Sequence, residues 1–293
     1  MKQNRLQSIN ENTWKQKWAS YKRNPFSLLL FILVLFATSI TILTMTFLVG
    51  YILIKGIPYV TPDIFSWNYT SENVSFMPAI VNTLILVIGA LLLAAPLGIF
   101  AAIYLVEYAK RGNKLVSIVR VTAETLSGIP SIVFGLFGML FFVTALHFGY
   151  SLLAGIFTVA IMILPLIMRT TEEALKSVPD IYREGSFGLG AGKLRTVSCI
   201  VLPAAVPGIL AGIILSVGRV VGETAALVYT AGTVAEFPKG IFSSGRSLSV
   251  HMYALSREGL HTDQAYATAV MLLLMVLFIN WFSTKMASKI TRK

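Results

Sequence analysis

Arg219 and Glu223 stand one helical turn apart in Ser216-Val-Gly-Arg-Val-Val-Gly-Glu-Thr-Ala-Ala226, inside a run that is otherwise apolar. That spacing puts a cation and an acid on one helix face. At membrane depth such a side chain costs about 2.5 to 3.5 kcal/mol to insert, so it is kept for a reason. Two reasons stay open at this stage. The guanidinium fork can grip an oxyanion while the carboxylate, acceptor-only, takes a hydrogen bond from an anion that keeps a proton. Alternatively, the two neutralise each other and tie helices together. Gly218 and Gly222 lie beside them and allow close approach of a helix or a ligand. Arg169, at the end of another apolar run, opens Arg169-Thr-Thr-Glu-Glu173; it suits the same anion path, and equally an arginine that snorkels to the interface. Glu124 reads as an acid at a helix start, and His147, His251 and His261 as isolated surface histidines.

The elements that hold these residues are membrane helices. Of 293 residues, 56% are hydrophobic and 13% charged, and the mean hydropathy is +0.76, outside the range of soluble domains. The net charge of +11 is spread over short loops, with no base-stacking module or basic stripe, which excludes a nucleic-acid binder. The single cysteine, Cys199, forms no internal disulfide and is expected to be a small buried filler. No Cys/His cluster has metal-ligand spacing, so no metal and no cofactor is expected. There is no G-x-x-x-x-G-K-[ST] loop, so the chain hydrolyses no nucleotide itself.

Hydropathy and punctuation divide the chain into six spans. A polar, basic stretch, Met1 to Asn24, holds Trp14, Trp18 and Tyr21, suited to the headgroup layer. The spans follow at about Phe26–Ile54, Pro78–Tyr104, Ala123–Leu146, Ser151–Met168, Pro207–Thr230 and Ala265–Phe282. Lys and Arg concentrate in the tail, in Glu107 to Arg120, in Arg169 to Arg195 and at the C-terminus. The opposite side holds Lys55, Lys239, Arg246 and Arg257, an asymmetry that puts both termini in the cytoplasm. The long polar loop Ala231 to Gln264 then lies outside, where cysteines placed at Ser243 or Ser249 are expected to meet impermeant reagents.

Between the fourth and fifth spans, Asp180-Ile-Tyr-Arg-Glu184-Gly-Ser-Phe-Gly-Leu-Gly190 is followed by a second short segment ending Ile200-Val-Leu-Pro203. Ser177 is expected to cap a first helix whose first turn holds Pro179 and Asp180, with Gly188 and Gly190 ending it. A second helix over Gly192 to Val201 is expected to stop at Pro203. Glu184, Gly190 and the Ile-Val-Leu-Pro ending resemble the EAA loop of the membrane subunits of ABC importers. Gly185 and Ser186 stand where that family has two alanines, which keeps the small size and lowers helix propensity. Gly128-Ile-Pro-Ser131, the Arg169 to Pro179 run and Gly222-Glu-Thr-Ala-Ala226 further resemble the phosphate-importer permeases of PstA type, a likeness that covers about Pro78 to Phe282.

What the resemblance implies is an all-α polytopic membrane protein of the MetI-like type with six transmembrane helices, in a prokaryotic plasma membrane. Its parts would be a cytoplasmic basic tail (1–25), a first helix with an extracytoplasmic loop (26–77), the transmembrane domain (78–284, with the coupling loop at 169–203) and a basic end (285–293). The chain would be half of the path of an ATP-driven phosphate importer, with a PstC-like second permease, two copies of an ATPase and an extracytoplasmic phosphate-binding protein. Asp180, Glu184, Gly185 and Gly190 would meet the ATPase; Arg169, Arg219 and Glu223 would line the path. A permease for sulfate or molybdate and a passive anion channel are the alternatives. An intramembrane enzyme is disfavoured, because no His-Glu-x-x-His or acidic metal cluster is present.

Overall fold

The structure, a computed structural model, describes residues 24–110 and 112–291; the basic tail before Asn24 lies outside them. The chain divides into two units, residues 1–54 and 55–293. The described part of the first is most of helix α1, Pro25–Gly56. It is apolar all round, with no polar stripe along it. A helix without a polar stripe is stable only where its whole surface meets hydrocarbon.

In the second unit α2, Met77–Ile103, continues through a π turn, Tyr104–Tyr108. Helix α3, Lys114–Gly128, is followed by α4, Ser131–Gly138, whose end is another π turn, Met139–Ala145. The centre of the unit is α5, Leu152–Lys176. Beyond it come the short helices α6, Asp180–Gly188, and α7, Lys193–Thr196. A π turn, Val197–Val201, joins α7 to α8, Leu202–Val221. The chain closes with α9, Ala225–Val228, α10, Leu248–Glu258, and α11, Thr262–Thr291.

Helix α5 is central because its apolar residues occupy most of its circumference: Val159, Ile163 and Ile167 are wholly enclosed, packed against α2 on one side and α8 on the other. Small residues make this contact close. A Cβ on Gly208 would come within 2.6 Å of the Ala174 methyl, and one on Gly212 would collide with Thr170. Gly208 and Gly212 form a small-xxx-small pair, the spacing that lets membrane helices approach where no hydrophobic effect drives them together.

Among the described residues, five helices are long and apolar enough to cross a membrane, or six if the bent pair α3 and α4 counts as one span. The expected straight third span is therefore broken: its arms meet at 100°. Ile129 precedes a proline, and the clash of Pro130 with the residue before it favours extended backbone; Ile129 and Pro130 have ψ of 132° and 141°. Pro203 does the opposite of what was expected. The helix runs on from Lys193 to Val221, since Cys199, whose carbonyl the proline ring would strike, lies in the π turn and the wider turn moves it aside. Cys199 is exposed, not a buried filler. Ser177 caps no following helix either; its Oγ donates back to the Ala174 carbonyl at 2.8 Å, and α6 starts directly from Pro179. The loop 231–264 contains α10, with Leu248, Val250 and Leu255 buried.

Candidate functional site: the coupling platform and the polar residues of the path

Helices α6 and α7 form a platform at one end of α5. Asp180, the first residue of α6, suits the positive end of the helix. Gly190 has φ +82°, a left-handed conformation that glycine adopts freely, and it turns the chain between the two helices. The platform is locked from within by Ser186, whose hydroxyl meets that of Thr196 at 2.8 Å in a buried contact. Ser186 at a position where the family has alanine thus has a local reason. Gly185 has open space where a Cβ would point.

The outward side of the platform is apolar. Ile181 is 70% exposed, Leu189 91% and Leu194 73%, with Tyr182 and Phe187 beside them. Asp180 and Glu184 are exposed with them. Large apolar side chains that stand bare on a polar, charged segment mark a contact surface.

Behind that surface Arg183 anchors the platform. Its Nη2 donates to Glu107 Oε1 at 2.7 Å and to the Leu175 carbonyl at 2.9 Å. Its Nη1 donates to the Val178 carbonyl at 2.7 Å and to Asp180 at 3.2 Å. The side chains of Arg183 and Glu107 are only 13% and 8% exposed. One guanidinium therefore joins α6 to the last turn of α2 and to the end of α5. Lys193 of α7 adds a contact over the Tyr108 ring, 5.2 Å from its centre.

The three residues expected along the path are not brought together. Arg219 lines a largely apolar cleft of about 740 Å³ between α8 and α11, with Leu215, Gly218, Asn280 and Thr284. No ion pair joins it to Glu223 among the described residues. Helix α8 ends at Val221, and Glu223, 7% exposed, turns forward so that its Oε1 accepts from the Ala226 N–H at 2.9 Å. The carboxylate ties the break between α8 and α9. A Cβ added at Gly218 or Gly222 would meet no side chain within 4 Å, so the face of α8 at Gly218 is open, while Val217, Val220 and Val221 are buried.

Arg169 is exposed and pairs with Glu173 at 3.1 Å, a contact worth well under about 1 kcal/mol at such exposure. It borders a separate charged cleft of about 200 Å³ with Arg120, Glu124 and Lys176. There Glu172, nearly buried, takes Arg120 at 2.7 Å and Lys176 at 2.6 Å. Glu124 belongs to the later part of α3, not to a helix start.

Sequence reasoning missed Glu107 and Arg183, and it misplaced His251, which is wholly buried. Burial, with the positive charge of Arg246 second, pushes the His251 imidazole down to about 3; the Val74 carbonyl opposes weakly. Ser249 is also enclosed, its Oγ donating to the Glu223 carbonyl at 2.6 Å. A thiol there is hidden, unlike one at the half-exposed Ser243.

A bundle of membrane helices with an exposed apolar platform and a bare, partly polar helix face describes the membrane component of a transport system. Residues 94–292 match the family of binding-protein-dependent transport system inner membrane components, and the chain belongs to it. It is 31% identical over 271 residues to the probable ABC transporter permease protein YqgI of Bacillus subtilis, covering 83% of this chain and 90% of that one. It is 36% identical over 218 residues to the phosphate transport system permease protein PstA 2 of Mycobacterium bovis, covering 71% and 72%. The Yersinia pestis phosphate transport system permease protein PstA is 36% identical over 204 residues, covering 69% and 68%. The fold is similar to a chain of a bacterial alginate ABC transporter, with a TM-score of 0.67 and 18% identity over 94% of this chain and 98% of that one. It is also similar to the MetNI methionine ABC transporter, with a TM-score of 0.57 and 19% identity over 73% and 93%.

The chain is thus a multi-pass permease subunit of the bacterial plasma membrane, a transporter component and not an enzyme. Membership of the family implies an ATPase and a substrate-binding protein as partners.

Proposed function

We propose that the chain is the PstA-type half of an ATP-driven importer of inorganic phosphate, working with a PstC-like second permease, two copies of a cytoplasmic ATPase and an extracytoplasmic phosphate-binding protein. The observation that carries this reading is the likeness to phosphate transport permeases of separate bacteria, 36% in both Mycobacterium bovis and Yersinia pestis. The apolar platform supports the ATPase contact, with Asp180, Glu184, Gly185 and Gly190 in the segment that enters it. The open face of α8 at Gly218, continued just past its end at Gly222, supports a second permease alongside.

Arg219 gives the path a guanidinium in a cleft otherwise poor in charge, a fork matched to phosphate oxygens. Arg169 stands nearer the platform and serves the charged exit. Glu223 acts on the break between α8 and α9, and through it on the end of the helix that carries Arg219. The test is uptake by the assembled complex in vesicles, with ATP inside and the binding protein outside. ATP-dependent accumulation of radiolabelled phosphate, unaffected by a large excess of sulfate or molybdate, is expected. Accumulation of sulfate without phosphate, or phosphate flux that ignores ATP, overturns the proposal.

A further inference from the structure

At the opposite end of α2 from Glu107, three polar side chains share an enclosed place and lack partners. Arg246 is 5% exposed, His251 and Asn82 are not exposed at all. Arg246 Nε and Nη2 and Asn82 Oδ1 make no hydrogen bond, and the His251 ring has only the Val74 carbonyl beside it. The groups are neighbours: the Asn82 Nδ2 donates to the Arg246 carbonyl at 3.2 Å. The Arg246 guanidinium lies 4.8 Å from the centre of the Tyr69 ring, which in turn meets the His251 ring edge-on at 6.2 Å. No carboxylate pairs with Arg246 among the described residues.

A buried charge without a counter-charge is strongly unfavourable, and each unsatisfied polar group adds to that penalty. Arginine cannot escape by losing its proton. Water would satisfy the hydrogen bonds and leave the charge uncompensated. An oxyanion satisfies both. The mixture of groups is more selective still: the Arg246 guanidinium donates, while Asn82 Oδ1 and the imidazole nitrogen turned away from the Val74 carbonyl accept. Two acceptors beside a guanidinium ask for an anion that keeps a proton, which sulfate lacks at neutral pH.

We infer that Arg246, His251 and Asn82 form an enclosed oxyanion site under Tyr69, which holds hydrogen phosphate on the side away from the ATPase before it descends past Arg219. The identity of the anion rests on the phosphate reading above; the oxyanion chemistry rests on the side chains alone. Tyr69 belongs to a loop pinned by Asn73, which accepts from the Thr70 and Ser75 N–H groups and donates to the Asn68 carbonyl. The next residue, Val74, has φ +46°, unusual for a β-branched side chain, and is itself buried. The anion enters when that loop lifts.

The test uses the assembled complex without ATP and without the binding protein, and inorganic phosphate as the probe. Equilibrium binding of labelled phosphate should weaken about tenfold or more in Arg246→Gln, the loss expected when a charged hydrogen-bonded partner goes. Arg246→Lys should keep part of the affinity. Asn82→Asp, nearly the same shape, supplies an internal carboxylate and should weaken phosphate binding while the complex still assembles, which covers the case where Arg246→Gln fails to fold. Sulfate should compete poorly. Unchanged phosphate affinity in an assembled Asn82→Asp or Arg246→Gln complex, or density showing only water there at saturating phosphate, refutes the site. ATP-driven phosphate uptake by the wild type in the same preparation keeps the transport reading standing in that event. Sulfate bound through Arg246 with no phosphate uptake would instead sink that reading and the choice of anion together.

Discussion

The guanidinium of Arg183 lies 2.7 Å from the carboxylate of Glu107, and the two are among the least exposed charges near the platform. The pair joins α6, the helix proposed to meet the ATPase, to α2, whose other end reaches Asn82 and the Arg246 segment. Breaking a buried pair by removing one partner costs about 3 to 5 kcal/mol. Arg183→Ala is therefore expected to leave the bundle inserted and the platform loose, so that ATP is hydrolysed with less phosphate moved. The ratio of phosphate imported to ATP consumed checks this. The swap Glu107→Arg with Arg183→Glu should recover only part of the ratio, because the Leu175 and Val178 carbonyls then lose their donor. An unchanged ratio in Arg183→Ala would remove the pair from the coupling route.

At the turn of the platform, Gly190→Arg is expected to uncouple uptake from hydrolysis. The residue must hold φ +82°, which costs a side chain about 1 to 2 kcal/mol, and the new charge falls beside Leu189. Leu189→Asp, on the most exposed apolar residue there, should weaken ATPase association directly. Gly185→Ala should be silent, since its Cβ meets nothing. Ser186→Ala loses the bond to Thr196 and should cost about 1 kcal/mol in thermal stability. Co-purification of the ATPase with each variant separates the four; full retention in Leu189→Asp would show that the apolar surface is not the contact.

Arg219→Gln should lower phosphate uptake in a complex that assembles normally, because the cleft loses its cation and no structural partner is abandoned. Glu223→Gln should be milder, since a glutamine carbonyl can still accept from the Ala226 N–H; Glu223→Ala removes the acceptor and should lower stability as well as uptake. Equal uptake by wild type and Arg219→Gln at matched expression would show that the arginine takes no part in the path.

For the loop after α9, a cysteine at Ser243 should react with an impermeant thiol reagent applied from outside, and one at Ser249 should not, because its side chain is enclosed. Reaction of the Ser243 cysteine in inverted vesicles alone would reverse the orientation of the whole chain.

Much of this architecture is legible in the sequence. Hydropathy fixes the long helices because a bilayer demands about twenty apolar residues, and the fixed spacing from Glu184 to Pro203 locates the platform. The failures share a physical cause. Glu107 and Arg183 lie 76 residues apart, and no local pattern announces which of many basic residues an acid will meet. The break at Ile129 was signalled by the proline, but the apolar runs on either side hid it. Arg246 and His251 looked like loop residues because their burial comes from α10 folding back on the start of α2, where the Leu248 N–H donates to Thr83 Oγ1 at 2.8 Å. Arg219 and Glu223 were placed on one face by helical spacing, and the helix ends between them.

The helix from Lys193 to Val221 runs for 29 residues, about 43 Å at the usual rise, with Leu194 on the platform near one end and Arg219 near the other. A continuous helix fixes azimuth as well as distance. Each α-helical residue turns the chain by about 100° and the π turn at Val197–Val201 by less, so the compass bearing of Arg219 is set by the number of residues between it and Leu194. Substitutions along this rod leave the bearing alone. A gain or loss of one residue would swing the guanidinium out of its cleft while hardly changing the hydropathy profile, so the geometry of this stretch tolerates substitutions better than a change in its length.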